Sequence, residues 1–525
     1  MLDITSDIKD AAYFAIVIDE TQDIASLEQC AVVIRFIDEE YCIREELVGL
    51  FQADNCDAES LTNIIKTVLL SLDLNIKLLR GQTYDGAKVL QGKFSGVAKR
   101  IKDVVGKAIS LHCLNHGINL TLQEAAKVNG IVSNTLSVVQ EVCVVIRASA
   151  KRLAVFKSMQ SGQSNPTSIK PLCPTRWCCH VRSLESIHNN YEAIADTIDW
   201  LMEHGNKQTE AFKKAPGLLA LMTKFSTWFG LNMCLCIFSP IEQLAKQLQA
   251  KDITAQAVSN AVGALKRYLQ SLRSESHFDK LYEKCLASCD DLNVGSPEGS
   301  LPRKRKAPRH LEDYLRVDGC SSSVDHEFAT TKQYYRQSFF EFIDLVVESL
   351  DSRFEQSSLD HLQKIEKLIL SASNGEFDFN TSPADLEKQF PILVGDIDFR
   401  KLCLQLELLP DSFQQVMPKI KKVTLISTVV DFMKEPGMKM AFSQLHTLLQ
   451  LYLTIPLSNA SSERAFSVLR RVKNYLRSSM NQKHTNHFVM LHAHKALTDA
   501  LDVREIAKSF IAKNERRVHY FGAFQ

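Results

Sequence analysis

Strand-forming segments crowd the chain before Val128 and then stop, and this asymmetry limits the fold more than any other feature. Tyr13–Asp19 (YFAIVID) is a short apolar run that ends in a carboxylate. Glu28–Asp38 and Tyr41–Leu50 are rich in β-formers and separated by two glutamates, which predicts a hairpin or meander. Asp57–Leu72 has an N-cap candidate and helical spacing of Leu61, Ile64, Ile65, Val68 and Leu69. Asn75–Gly86 reads as a strand ending in a turn, Gly96–Val105 as a helix and Ala108–Cys113 as another strand. Three strands, helix, strand, helix, strand, helix is the order of an α/β unit with a mixed sheet.

From Val128 to Met440 the strand signals fade and Leu, Ala, Lys and Glu recur at helical spacing. One break stands out: Cys289–His310 is Gly/Pro/Ser-rich and then strongly basic, which predicts an exposed loop. The tail from Ala441 is helical again. The expected organisation is therefore α/β plus all-α: residues 1–127 as the first part of the core, 128–440 as a helical domain carrying the basic loop 289–310, and 441–525 as a helical C-terminal region. No repeat of solenoid period is evident.

Composition narrows the function classes. The net charge is +1, so nucleic-acid binding must come from local basic patches rather than a global field. No apolar run approaches the ~20 residues of a membrane span, so no membrane partner is expected. The N-terminus has neither region of a signal peptide, and fourteen cysteines are scattered along the chain. Those features predict reduced thiols in the cytosol or nucleus.

Three carboxylates sit where a sheet and a helix would hold them. Asp19 ends the first strand, Asp85 follows a later one, and Glu463 begins a late helix. Acids fixed at strand ends suit a hard ion such as Mg²⁺, which keeps positions for water and phosphate oxygens. Two such ions clamp the attacking and leaving oxygens in phosphoryl transfer. The plainer account is that strand-end Asp residues form turns and that Glu near a helix N-terminus is favoured by the dipole. Around Glu463, a helical wheel puts Ala465, Phe466, Val468, Leu469, Val472, Tyr475 and Leu476 on one broad face. Ser467, Arg470, Asn474 and Arg477 continue the Glu463 face, flanked by Arg471 and Lys473. That ladder is either phosphate-seeking or an ordinary solvated face with spaced charge pairs.

At this point the residues carry a resemblance. SNASSERAFSVLRRVKNYLRSSM (Ser458–Met480) resembles the C-terminal dimerisation region of the hAT superfamily of DNA transposases. YFAIVIDETQDIASLEQ resembles that family's first strand with its acid, and GQTYDGAKVLQGKFSGV its second-acid segment. LHCLNHGINL resembles its Cys-x-x-His segment and LCPTRWCCHVRSL its Arg-Trp segment. The order is the family's order, and the nearest subgroup is that of transposon-derived zinc finger MYM-type proteins and their relatives. The resemblance implies a ribonuclease-H-like core interrupted by a large helical insertion. It implies that the Asp-Asp-Glu triad maps to Asp19, Asp85 and Glu463, binding Mg²⁺ or Mn²⁺ for cleavage and joining of DNA. It implies a homodimer or higher oligomer, DNA as partner, no small-molecule substrate and a nuclear location. The family's usual N-terminal zinc-finger module is not found here, so no zinc finger is expected in this chain.

The remaining candidates have two readings each. Cys113 and His116 are two residues at a spacing zinc uses, but two ligands make no site. The resemblance puts them beside the active site, with His116 orienting DNA; a buried structural role is the alternative. Trp177 suits stacking on an extruded base and Arg176 a phosphate, or Trp177 anchors the helical domain. Arg470 and Arg477 are candidate DNA contacts. Pro302–His310 reads as a nuclear-import signal, a backbone contact or a solvated loop. The dimerisation region implies a seam that includes Phe466, Leu469, Val472, Leu476, Phe488 and Leu491, with internal packing as the competing account. Two functions follow: an enzyme that cuts DNA, or a non-catalytic regulatory protein that dimerises.

Overall fold

The computed structural model describes residues 2–53, 55–92, 95–160, 167–173, 176–297, 330–378 and 380–522. The chain forms two compact units. The first comprises residues 1–116, 249–256 and 356–525, and the second residues 117–248 and 257–355. The expected helical stretch 128–440 is thus divided, since residues 356–440 belong with the sheet.

The first unit is built on one five-stranded sheet in the order β3-β2-β1-β4-β5. Its strands are β1 (Phe14–Gln22), β2 (Glu28–Ile37), β3 (Ile43–Gln52), β4 (Leu79–Tyr84) and β5 (Ile109–His112). β1, β2 and β3 pair antiparallel, whereas β4 lies parallel to β1 and β5 parallel to β4. The mixed sheet and the order of its elements match the sequence reading. A first helix, α1 (Leu2–Asp10), precedes it and had no clear sequence signal. The turn between β1 and β2 is organised by Asp23, whose carboxylate accepts the N–H groups of Ala25 at 2.8 Å and Leu27 at 3.1 Å.

The run Phe14–Ile18 is apolar throughout because both faces of β1 are covered. Ile16 and Ile18 face a core shared with α1, α2 (Ala58–Ser71) and α3 (Val97–Val104). Val17, Ala31 and Val33 face the other way, toward Ala465, Phe466 and Leu469. Those last residues belong to α5 (Ala460–Val472), which packs on the sheet with α4 (Ser443–Thr454) and α6 (Gln482–Ala493). Short helices α7 (Lys495–Asp499), α8 (Val503–Ala512) and α9 (Glu515–Phe521) follow.

Three polar devices hold these helices. Arg35, in mid-strand of β2, is buried and pairs with Glu45 at 2.8 Å. It also donates to the Leu453 carbonyl at 2.8 and 3.1 Å, tying the C-terminal end of α4 to the sheet. The exposed edge of β3 is covered by α6: Asn486 Oδ1 accepts the Leu50 N–H, and Gln482 Nε2 donates to the Leu50 carbonyl, both at 2.9 Å. At the far end of α5, Lys473 donates to Asp23 at 2.5 Å with both side chains shut off from solvent. Burial alone raises the Asp23 carboxyl. The bonds from Lys473 and from two backbone N–H groups outweigh it and hold the group below its usual range.

The second unit is helical among its described residues. Phe225–Gln247 runs through it, with Phe225 and Phe229 in a ring cluster with Tyr282 and Tyr335. Gly130–Arg147 is an 18-residue helix long and apolar enough to cross a membrane by length and composition alone. More than half of it is buried in the unit, as expected of a core helix.

Candidate active site

Asp19 lies within β1, which runs on to Gln22 rather than ending at the acid, and Asp85 follows the last residue of β4. Val17 pairs with Thr83, so continuing this parallel register by two residues brings Asp85 opposite Asp19. Side chains two apart in a strand share a face, so Asp19 lies on the face of Val17, which α5 covers. Glu463 is in the first turn of α5.

Electrostatics agree with this placement. Asp19 is 8% exposed, and its carboxyl is raised well above the usual range. Burial is the main cause, followed by the negative charges of Asp85 and Glu463. The Glu20 N–H donates to Asp19 Oδ1 at 3.0 Å, and the Ala87 N–H to Asp85 Oδ1 at 3.0 Å. Among the described residues, no three His, Cys, Asp or Glu side chains stand close enough to hold a metal ion as they are placed.

The segment before α5 is tied to the same strand ends. Thr83 Oγ1 donates to the Pro456 carbonyl at 2.6 Å. Gly81 permits this approach: a Cβ there would lie 3.0 Å from Ala15 Cβ and 3.1 Å from both Ile455 and Pro456. Cys113 is buried, and its Sγ bonds the Asn459 side chain at 2.8 Å and accepts the Asn459 and His116 N–H groups at 3.3 and 3.4 Å. Burial, then the charges of Glu463 and Asp19, push this thiol up to about 12, against the two N–H bonds. Cys113 is thus a hydrogen-bonding group in the wall of the site, and His116 is half-buried beside it.

Other candidates fall elsewhere. Arg176 and Trp177 belong to the second unit, where Trp177 lies against His180 with ring centres 4.8 Å apart. Arg470 and Arg477 are exposed, but α5 stops at Val472 and Lys473 turns inward. Asn474 then caps a short turn over Tyr475–Arg477, so the expected ladder ends at Arg470. Phe466 and Leu469 are buried against the sheet, with Val472 packed beside them. That removes the first two from the expected seam, whereas Leu476, Phe488 and Leu491 are exposed. Pro302–His310 lies outside the described residues.

Sequence reasoning passed over Glu20. Its Oε1 is buried with no hydrogen-bond partner among the described residues, and its carboxyl is raised to about 7 by burial, Asp85 and Glu28. The only available signal was its place beside Asp19.

Comparison with known proteins bears on both ends of this unit. Residues 1–96 match the family described as ZMYM1/FAM200, RNase-like domain. Residues 415–497 match the hAT family C-terminal dimerisation region. The chain is 23% identical over 528 aligned residues to the human 52 kDa repressor of the inhibitor of the protein kinase, covering 97% of this chain and 65% of that protein. The mouse protein of the same name is 22% identical over 514 residues, covering 95% of this chain and 64% of its own length. The chain therefore spans slightly less than two thirds of these relatives. With an RNase-like match over residues 1–96 and a hAT dimerisation match over residues 415–497, the chain is similar to hAT transposase-like proteins in these two segments.

Proposed function

We propose that this chain is a transposon-derived nuclear protein whose first unit is a ribonuclease-H-like core interrupted by the second. In this reading it dimerises, binds DNA, and holds Mg²⁺ or Mn²⁺ on Asp19, Asp85 and Glu463. What supports the reading is the register of β1 and β4, whose continuation sets Asp85 opposite Asp19, together with the negative charges of Asp85 and Glu463 that act on Asp19.

The donor set fits a hard divalent cation. It consists of carboxylates, and Asp19 is buried under two like charges whose repulsion a cation would relieve. Glu20 Oε1 adds a buried acceptor next to them that has no partner among the described residues. When bound, the cation would polarise a scissile phosphodiester and lower the pKa of a bound nucleophile. The chain's own part is positional. The sheet fixes Asp19 and Asp85, α5 presents Glu463, and exposed Arg470 and Arg477 are available to phosphates.

Dimerisation has a surface to use. Leu476, Phe488, Leu491, Leu497, Val503 and Phe510 are exposed along α6–α8 and the turn before α6. That much apolar surface supports burial against a second copy. The same surface, and the printed name of the relatives, support a second reading in which the chain regulates by dimerising and does not cut.

Nicking of supercoiled plasmid by the purified chain with Mn²⁺, beside Asp85→Asn, tests the first reading. Nicking that the substitution abolishes is expected. A folded wild-type chain that does not nick, or nicking that persists in Asp85→Asn, would overturn the catalytic reading and leave the dimerising one.

A further inference from the structure

We propose that Cys113 is a positioning residue for the acid site: its thiol clasps Asn459 and so fixes the first turn of α5, and Glu463 with it, to the ends of β4 and β5. This rests on reading Asp19, Asp85 and Glu463 as a cation site.

Cys113 is the first residue beyond β5, and its N–H donates to the carbonyl of Tyr84, the neighbour of Asp85, at 2.9 Å. Its Sγ–H donates to Asn459 Oδ1 at 2.8 Å, and the Asn459 N–H returns a bond to Sγ at 3.3 Å. Asn459 in turn accepts the Glu463 N–H on its carbonyl at 3.2 Å. One thiol therefore joins the chain next to Asp85 to the chain that carries Glu463. The following residue repeats the link, with the Leu114 N–H on the Leu457 carbonyl at 3.2 Å. Cys113 is 2% exposed and Asn459 1%, so water does not substitute for either partner. A buried apolar side chain of similar size would fill the space but leave Asn459 Oδ1 without a donor. A helical turn moves as a unit, so release at Asn459 displaces Glu463. Thiol chemistry is not required: the sulfur is occupied by three hydrogen-bond partners.

Hydrogen exchange of residues 459–466 in the full chain tests the clasp. Cys113→Ala is expected to speed exchange there at least about tenfold, Cys113→Ser to stay near wild type, and Asn459→Ala to match Cys113→Ala. The double variant is expected to exchange no faster than the single ones, because both remove the same bond. Cys403→Ala, at another buried cysteine of the same unit, controls for simple loss of packing and is expected to leave this segment unchanged. Mn²⁺ alone is the second readout, with affinity reduced several-fold by Cys113→Ala and restored by Cys113→Ser. Unchanged exchange in Cys113→Ala, failure of Ser to restore it, or multiplied effects in the double variant would overturn the clasp. Faster exchange with unchanged Mn²⁺ affinity would overturn its positioning role. A wild-type chain that binds no Mn²⁺ would sink the cation reading, and exchange would still decide the clasp.

Discussion

Helices α5 and α8 are written alike and used differently. Each has a polar side and an apolar side at helical spacing. In α5, Phe466 and Leu469 are buried against the sheet, and the helix is fastened at both ends, by Asn459 to Cys113 and by Lys473 to Asp23. In α8, Val503 is 75% exposed and Ile506 and Phe510 are 49% exposed. The first helix completes the core that bears the acids. The second packs against α9 and leaves its apolar side outward. Amphipathicity says that a face will be buried; it does not say whether the same chain or another copy buries it.

The largest test of this contrast cuts the inner anchor. Lys473→Met strands the Asp23 carboxylate in a buried place, and the expected loss of stability is about 3–5 kcal/mol in denaturant unfolding. Next come matched truncations in the two helices. Leu469→Ala is expected to cost about 3 kcal/mol of folding stability. Phe510→Ser is expected to change it by less than about 0.5 kcal/mol while weakening self-association at least about tenfold in sedimentation. Equal folding losses from both would erase the distinction.

Glu20 supplies a smaller effect with a pH signature. Its folded carboxyl stands at about 7 against 4.5 when free, so between those values the folded chain holds a proton that the unfolded chain has released. Stability therefore falls as pH rises across that window. Glu20→Gln is expected to raise stability by about 1–2 kcal/mol at pH 8, the shift being discounted for solvent screening of a partly exposed group, and to leave it unchanged near pH 4. Thermal melts at the two pH values check this. The smallest effect is expected on α5's outer side. Arg470→Ala should shift stability by less than about 0.5 kcal/mol and lower the salt dependence of DNA binding by about one phosphate contact.

β1 and β2 were legible because each carries a short apolar run bounded by polar residues, and both faces of β1 are covered. Asp19, Asp85 and Glu463 stand out as acids near strand ends and a helix start, but spacing alone leaves a turn or a dipole as the plainer account. What brings them to one face is strand register and helix packing between residues hundreds of positions apart, which no local period records. Lys473 shows the limit most clearly. It reads as a flank of a basic ladder, yet its partner Asp23 lies across the whole chain and draws it inside. Arg35 is similar, a charge in mid-strand explained only by Glu45 and the end of α4. Phe466 and Leu469 read equally well as seam or core until the sheet was there to receive them.

The central claim is that α5 delivers Glu463 to the acids of the sheet to make one cation site. Mn²⁺ titration followed by electron paramagnetic resonance tests it most directly, with wild type beside Glu463→Gln and Arg464→Gln. The account predicts binding by wild type, at least about tenfold weaker binding by Glu463→Gln, and little change in Arg464→Gln. Equal Mn²⁺ affinity in wild type and Glu463→Gln, or no binding by a folded wild-type chain, would contradict it.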